Sequence, residues 1–270
     1  IKKHFLNNEL FKLFKNNKLL ILFLLKENVL TMNSAIILTM IEGKMKDQKY
    51  PEYFMPEIKP LIGEIDDKED QKYLEIIGNL PDDFDEKRKI GENDDMLYEI
   101  IRKDMIEEFI SNVKSRNFEL NITIEESIYE TNPFLLKNKQ TTLIEYSAFF
   151  GASQIFRYLY LNGVDLTSNL WFYAIHGDNA EIIKVLEEKK IMPPDVEKCL
   201  QESIKCHHND IVKYIIRNYM KKESENIVRY CFHYYNFPIH LKIEKNMVTF
   251  CIACLYDHYE IVSFILDQYY

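Results

Sequence analysis

The stretch AIHGDNAEIIKVL (174–186) decides the fold, because its pattern returns in SAFFGASQIFRYL (147–159), SIKCHHNDIVKYI (203–215) and ACLYDHYEIVSFI (253–265). Aligned on Gln154, Glu181, Asp210 and Glu260, the four stretches put Gly151, Asp178, His207 and Asp257 three residues earlier. Seven residues earlier stand the small residues Ser147, Ala174, Ser203 and Ala253. Directly after the aligned position come apolar pairs: Ile155 and Phe156, Ile182 and Ile183, Ile211 and Val212, Ile261 and Val262. Self-similarity of this kind marks stacked repeats, in which one unit cannot bury its own apolar face and neighbours must cover it.

The spacing gives each unit a local structure. Asp178 with Glu181, and Asp257 with Glu260, have the three-residue step of a capping box, which predicts a helix starting there. Gly151 with Gln154 is a weaker version, and His207 with Asp210 departs at the cap, where Asn209 is the alternative. Beyond the cap, Ile182, Ile183, Val185 and Leu186 fall on one helical face, as do Ile261, Val262, Phe264 and Ile265. Before the cap lies a shorter apolar segment whose central small residue lets two helices approach. Each unit therefore reads as short helix, tight turn, longer helix, with Gly163 in Asn162-Gly163-Val164-Asp165 suited to a left-handed C-terminal cap.

These columns resemble the ankyrin repeat. Thr142-Leu143-Ile144-Glu145 occupies its opening slot, Ser147-Ala148 its small pair, Gly151 its turn, and Asn162 to Asp165 its hairpin. The opening proline of that pattern is missing in every unit, and the histidine of its first helix is never histidine. The region 95–270 is similar, more specifically, to a divergent ankyrin-like domain of unknown function expanded in protist ankyrin proteins. Leu143 to Tyr146, Ala174 to Gly177, Glu202 to Asp210 and Tyr234 to Phe237 carry that likeness. The resemblance implies an all-α, ankyrin-like solenoid with irregular insertions, no assigned biochemistry, and continuity with more regular ankyrin repeats in the full-length chain.

The 270 residues are 47% hydrophobic, with only seven glycines and eight prolines, which favours helical runs over a β sandwich. The formal net charge of −9 argues against a basic groove for nucleic acid. Five cysteines without regular spacing point to a reducing, intracellular and cytoplasmic setting. The runs Leu19 to Leu25 and Ala35 to Ile41 are too short to span a bilayer. A first residue Ile1 and a close at Tyr270 on an apolar segment read as a fragment.

Residues 1–42 read as a helical, repeat-like unit. Residues 43–94, with Pro51, Pro56, Pro60, Pro81 and acidic runs, read as an insertion or linker in which Pro56 suits a helix start. Residues 95–270 form the repeat domain, with units at 141–166, 167–195, 196–220 and 247–270 and a degenerate unit at 221–246. Within it, 117–140 reads as a loop around Asn132-Pro133 that packs through Phe134, Leu135 and Leu136.

Cys251, Cys254 and His258 have metal-ligand spacing on one helix face, and Cys206, His207 and His208 are the second cluster that a four-ligand zinc site would need. The packing reading is preferred: Cys254 stands where Ala148 does in the first unit and behaves as a small buried hydrophobe. His207 and His208 read as turn residues, and His176 as an exposed variable position. Ser147 and Ser203 read as small buried residues, without the surroundings of a nucleophile. No metal, cofactor or catalytic residue is expected. The function expected is protein–protein interaction through short-helix positions that packing does not demand: Glu145, Phe149, Phe172, His176, Lys205 and Tyr256. A capping segment of a longer array, with no partner of its own, is the alternative. An enzyme hidden in the irregular N-terminal part is the remote one.

Overall fold

The computed structural model describes residues 2–116, 119–220, 226–239 and 247–267, and every regular element among them is helical. The parts of the expected degenerate unit at 221–225 and 240–246, and the close of the last unit at 268–270, lie outside the described residues. The chain divides into two compact units, one of residues 1–99 with 123–141 and the other of residues 100–122 with 142–270.

The first unit holds α1 (Lys2–Phe14), α2 (Lys18–Lys26), α3 (Ser34–Met40), α4 (Gly43–Asp47), α5 (Tyr50–Tyr53), α6 (Met55–Ile58), α7 (Lys68–Ile77) and α8 (Phe84–Ile90); α9 (Met96–Arg102) runs across the division. Residues 43–94, expected as an insertion or linker, contain five of these helices. Tyr53, Phe54, Met55 and Ile58 there are fully buried and share one core with Phe11, Ile21, Ile37 and Met40. Pro56 sits in the first turn of α6, where its missing N–H costs nothing, and Asp67 of an acidic run accepts the first amides of α7. Arg88 is buried with its guanidinium paired: Nη1 and Nη2 bond Glu57, at 2.7 and 3.1 Å, and the group also reaches Asp85 and the Tyr53 carbonyl. The segment 123–141, read as a loop of the repeat domain, clusters with this unit; Pro133 to Lys137 is helical (α11, Pro133–Lys137), with Leu135 buried.

The second unit holds α10 (Ile106–Arg116), α12 (Leu143–Phe149), α13 (Ser153–Leu161), α14 (Leu170–His176), α15 (Ala180–Glu188), α16 (Val196–Lys205), α17 (Asn209–Tyr219), α18 (Asn226–His233), α19 (Met247–Leu255) and α20 (Tyr259–Leu266). Short helices pack on their successors, α12 on α14, α14 on α16, α16 on α18 and α18 on α19. Longer helices do the same, α10 on α13 and α13 on α15. The apolar pairs face inward: Ile155, Phe156, Ile182, Ile183, Ile211 and Val212 are buried, and Ile261 and Val262 half-buried. Each such burial contributes about 1.5–3 kcal/mol.

The turn between short and long helix differs from the expected capping box. Asp178 and Asp257 are not N-caps. They take positive φ (46° and 56°), as do Gly151 (66°) and His207 (60°), and so do Asp104 (51°) and Tyr235 (56°). Each is the left-handed residue that closes the preceding helix, its N–H bonding the carbonyl three residues back. In five of the six turns, the next N–H bonds the carbonyl five residues back, at Ile100, Ser147, Ser203, Cys231 and Ala253. This is the Schellman closure, and it satisfies carbonyls that a helix end would otherwise orphan. The longer helix starts two residues after the left-handed one, so its cap falls one residue later than spacing alone implied. At α15 the cap is Asn179, whose Oδ1 accepts from Glu181 and Ile182. A complete capping box, Thr142 with Glu145, instead opens the short helix α12.

The residue after the left-handed one links neighbours. Asn179 Nδ2 donates to the Gly151 carbonyl (2.8 Å) and Asn236 Nδ2 to that of Ile204 (2.8 Å). His208 Nδ1 bonds the Ile175 carbonyl (2.6 Å) and His258 Nε2 that of Phe232 (2.8 Å). The last three reach the same place, three residues before the left-handed residue of the preceding turn. Ala152 has no side-chain donor, and there Asp104 acts instead, its carboxylate accepting from the amides of Gln154 and Ile155. Where turns come closest, only glycine fits: a Cβ on Gly177 would lie 2.1 Å from the Ala148 carbonyl oxygen and 2.8 Å from Gly151 N.

Candidate functional site

Counting back from the left-handed residue shows which short-helix side chains stay open. Six residues before it stand Glu145, Phe172, Gln201, Arg229 and Cys251, all half-buried or exposed. Two residues before it stand Phe149, His176, Lys205, His233 and Leu255, of which Phe149 is buried and the others half-buried or exposed. The intervening positions are mostly buried by the next helix, as with the fully buried Ala148, Ala174, Ser203 and Ala253. Ser147 and Ser203 each donate their hydroxyl to a carbonyl three residues back, which lets a polar group occupy these tight positions.

The centre of this face is a cluster at the C-terminal ends of α14 and α16. His176 Nε2 lies 2.9 Å from Glu202 Oε1, and Lys205 Nζ donates to the same oxygen at 2.8 Å. Cys206 Sγ stands 3.5 Å from His176 Nδ1 and 3.9 Å from Nε2. The Phe149 ring covers the imidazole, stacked at 4.9 Å with planes 27° apart. Burial alone would push the Glu202 carboxyl up; the hydrogen bonds from His176 and Lys205 outweigh it and hold the group down at about 2. Burial, with the charge of Glu202, pushes the Cys206 thiol up to about 12. A protonated thiol at a helix C-terminus is a poor nucleophile, since the helix dipole there disfavours thiolate.

The six expected partner-binding residues divide. Phe149, His176 and Lys205 come together around Glu202. His176, expected exposed, is half-buried by the Phe149 ring and the Glu202 bond. Phe149 is itself buried at 7% exposure. Glu145 is half-buried and occupied in the α12 capping box, Phe172 is half-buried, and Tyr256 packs edge-on against His233 at 5.1 Å. Glu202 was not singled out from sequence. The signal was there: the acid lies three residues before Lys205 and four before Cys206, so all three share the final turn of one helix.

Cys251, Cys254 and His258 are not gathered. Cys251 and Cys254 are exposed, whereas His258 is buried and turned to the Phe232 carbonyl. Cys254 is thus not the buried hydrophobe expected from its column; no described helix covers that side of α19. Among the described residues, His176, Glu202 and Cys206 are the one group of three metal-capable side chains, with ligand atoms within 4.8 Å of one another. No helix among the described residues is long and apolar enough to cross a membrane.

Residues 162–243 match a family described as a domain of unknown function (DUF3447), a span that includes the turns at Asp178, His207 and Tyr235. Comparison with curated proteins and with solved structures gives no match.

Proposed function

We propose that the second unit is an ankyrin-like stack of helix hairpins that acts as a non-catalytic protein-interaction module, its partner lying across the short helices at Glu145, Phe149, Phe172, His176, Lys205 and Tyr256. The observation that carries this reading is the register of the open positions. Side chains six residues before the left-handed residues at 151, 178, 207, 235 and 257 are half-buried or exposed, as are those two residues before all of these but Gly151, so the face extends as the helices succeed one another. Its mix of aromatic, imidazole and charged groups suits a protein surface, since aromatic anchors dominate such contacts. The Cys206 thiol, pushed up to about 12 by burial, stays protonated and is a poor nucleophile, which supports a non-catalytic role for this cluster. Exposed Val248, Leu255, Tyr259 and Phe264 on α19 and α20 support further helix pairs beyond them in the full-length chain.

The test is affinity capture from the native cell with the chain carrying Phe172→Ala, Lys205→Glu and Tyr256→Ala together, after its melting temperature is shown to match the parent. Loss of the captured proteins is expected. Retention of every one would remove the reading.

A further inference from the structure

His176 belongs to one helix pair of the second unit, and Glu202 and Cys206 belong to the next. We propose that these three side chains form a divalent-cation site of the zinc class that staples α14 to α16. The site shares His176 and Lys205 with the face proposed above, but it does not rest on a partner binding there.

Three observations carry it. The first is spacing. In a tetrahedral zinc site built with ordinary bond lengths, ligand atoms stand about 3.3–3.7 Å apart. His176 Nε2 is 2.9 Å from Glu202 Oε1 and 3.9 Å from Cys206 Sγ, and the ligand atoms of all three residues lie within 4.8 Å of one another, so side-chain shifts of up to about an ångström complete the geometry. The second is the donor set. One thiolate, one imidazole and one carboxylate suit zinc, and would leave hard calcium or magnesium, which want oxygen ligands, poorly served. Three protein ligands leave the fourth position to water or to a donor from a bound partner.

The third observation separates a cation site from a catalytic cysteine. Imidazole between thiol and carboxylate also describes a nucleophile with its base. Here, however, His176 is the last residue of α14, Glu202 and Lys205 lie in the last turn of α16, and Cys206 is its C-cap. Both helices present their negative ends to the cluster, which favours a cation and disfavours a free thiolate. Lys205 Nζ now supplies positive charge to Glu202. Its side chain is about half exposed, at 45%, and can swing away into solvent when an ion takes over that role. On binding, the Cys206 thiol loses its proton to solvent as the sulfur–metal bond forms, and the His176 proton that faces Glu202 is exchanged through solvent from Nε2 to Nδ1, freeing the Nε2 lone pair for the ion. The net release is one proton per ion.

Cobalt(II) titration of the chelator-treated full chain tests this. A sulfur-to-cobalt absorption band saturating at one equivalent is expected, and zinc should displace it. The band should vanish in Cys206→Ser and in His176→Ala, and persist in Cys251→Ser with Cys254→Ser. Zinc at a hundred-fold excess over its dissociation constant should raise the melting temperature by about 5–10 °C. Because Cys206→Ser disturbs a half-buried position, Lys205→Met serves as the second variant; removing the competing ammonium should tighten cobalt binding several-fold. No band at stoichiometric cobalt, a band that survives Cys206→Ser, a band lost with Cys251 and Cys254, or unchanged affinity in Lys205→Met would overturn the site.

Discussion

The two units bury their helices by different means. In the second, one turn geometry recurs at Asp104, Gly151, Asp178, His207, Tyr235 and Asp257, and the residue after it reaches back to the preceding turn in four of these places. The first unit relies on single, unrepeated arrangements. There Lys18 is fully buried, its ammonium donating to the Glu130 carbonyl at 3.0 Å and lying 5.3 and 5.0 Å from the ring centres of Tyr50 and Tyr53. Arg88 is held by Glu57, Asp85 and a carbonyl. A repeated device spreads stability over many equivalent contacts, whereas a one-off core concentrates it in a few.

Core truncation in the first unit should have the largest effect. Phe54→Ala is expected to cost about 3–5 kcal/mol, because Phe54 is fully buried against Tyr50 and Tyr53. Denaturant unfolding of the full chain, read by hydrogen exchange in residues 19–77, checks this. An unchanged midpoint there would break the contrast.

Gly177→Ala should follow closely. The added methyl meets backbone on both sides, at the Ala148 oxygen and Gly151 N, so nothing flexible can yield. A loss of about 3 kcal/mol is expected, read by thermal melting. A loss under about 1 kcal/mol would mean that the turns are not in such close contact.

The pH dependence also separates the units, with rises of the same sign in different windows, alkaline for the first and acid for the second. Burial lowers Lys18 from 10.5 to about 7, so between these values the unfolded chain binds the proton that the folded chain releases. Stability should therefore rise with pH across that window, and Lys18→Met should flatten the rise. Glu202 is depressed from 4.5 to about 2, so its contribution is complete above the unfolded value and lost as pH falls through the folded one. Glu202→Gln should remove that acid-side loss. Urea midpoints measured across both windows check the two slopes. A variant that keeps the parent's slope would contradict the assignment.

His258→Ala should cost about 1 kcal/mol by stripping the bond to the Phe232 carbonyl, measured as a shift in the urea midpoint. Smallest of all, Asp178→Gly should stabilise the chain by about 0.5–1 kcal/mol in the same assay, since a left-handed backbone suits glycine and this side chain is exposed. A loss on Asp178→Gly would show that the aspartate side chain contributes more than its backbone strain.

How much of this was readable follows the same division. The helix pairs around 147–215 were legible because burial on one face imposes a helical period, and the small residues at 147, 174, 203 and 253 announce close approach. The all-helical class followed from that pattern. The turn itself was misread by one residue. Asp and Glu three apart look like a capping box, yet Asp is also among the residues that tolerate a left-handed backbone, and the backbone closure of the first helix decided between the two. Asp104 and Glu107 repeat the Asp178 and Glu181 spacing, but without the apolar pair behind it. Residues 43–94 were illegible for a different reason. Their helices are four to ten residues long, too short to display a period, and Pro51, Pro56 and Pro60 read as breaks although they sit in first turns. At the site, Phe149, His176 and Lys205 were chosen as positions that packing does not demand, and of these Phe149 is buried and His176 half-buried. Glu202 was hidden because its partner His176 lies 26 positions away, a distance closed by the packing of α14 on α16.

The central claim is that helix pairs in the second unit support one another through nearest-neighbour turns. Hydrogen exchange on the Gly177→Ala chain tests this most directly. Protection is expected to fall first in α12, α14 and α16, the helices flanking the altered turn, and to be retained longest in α19 and α20. Equal loss of protection in all of these helices, or none in α12 and α14, would contradict it.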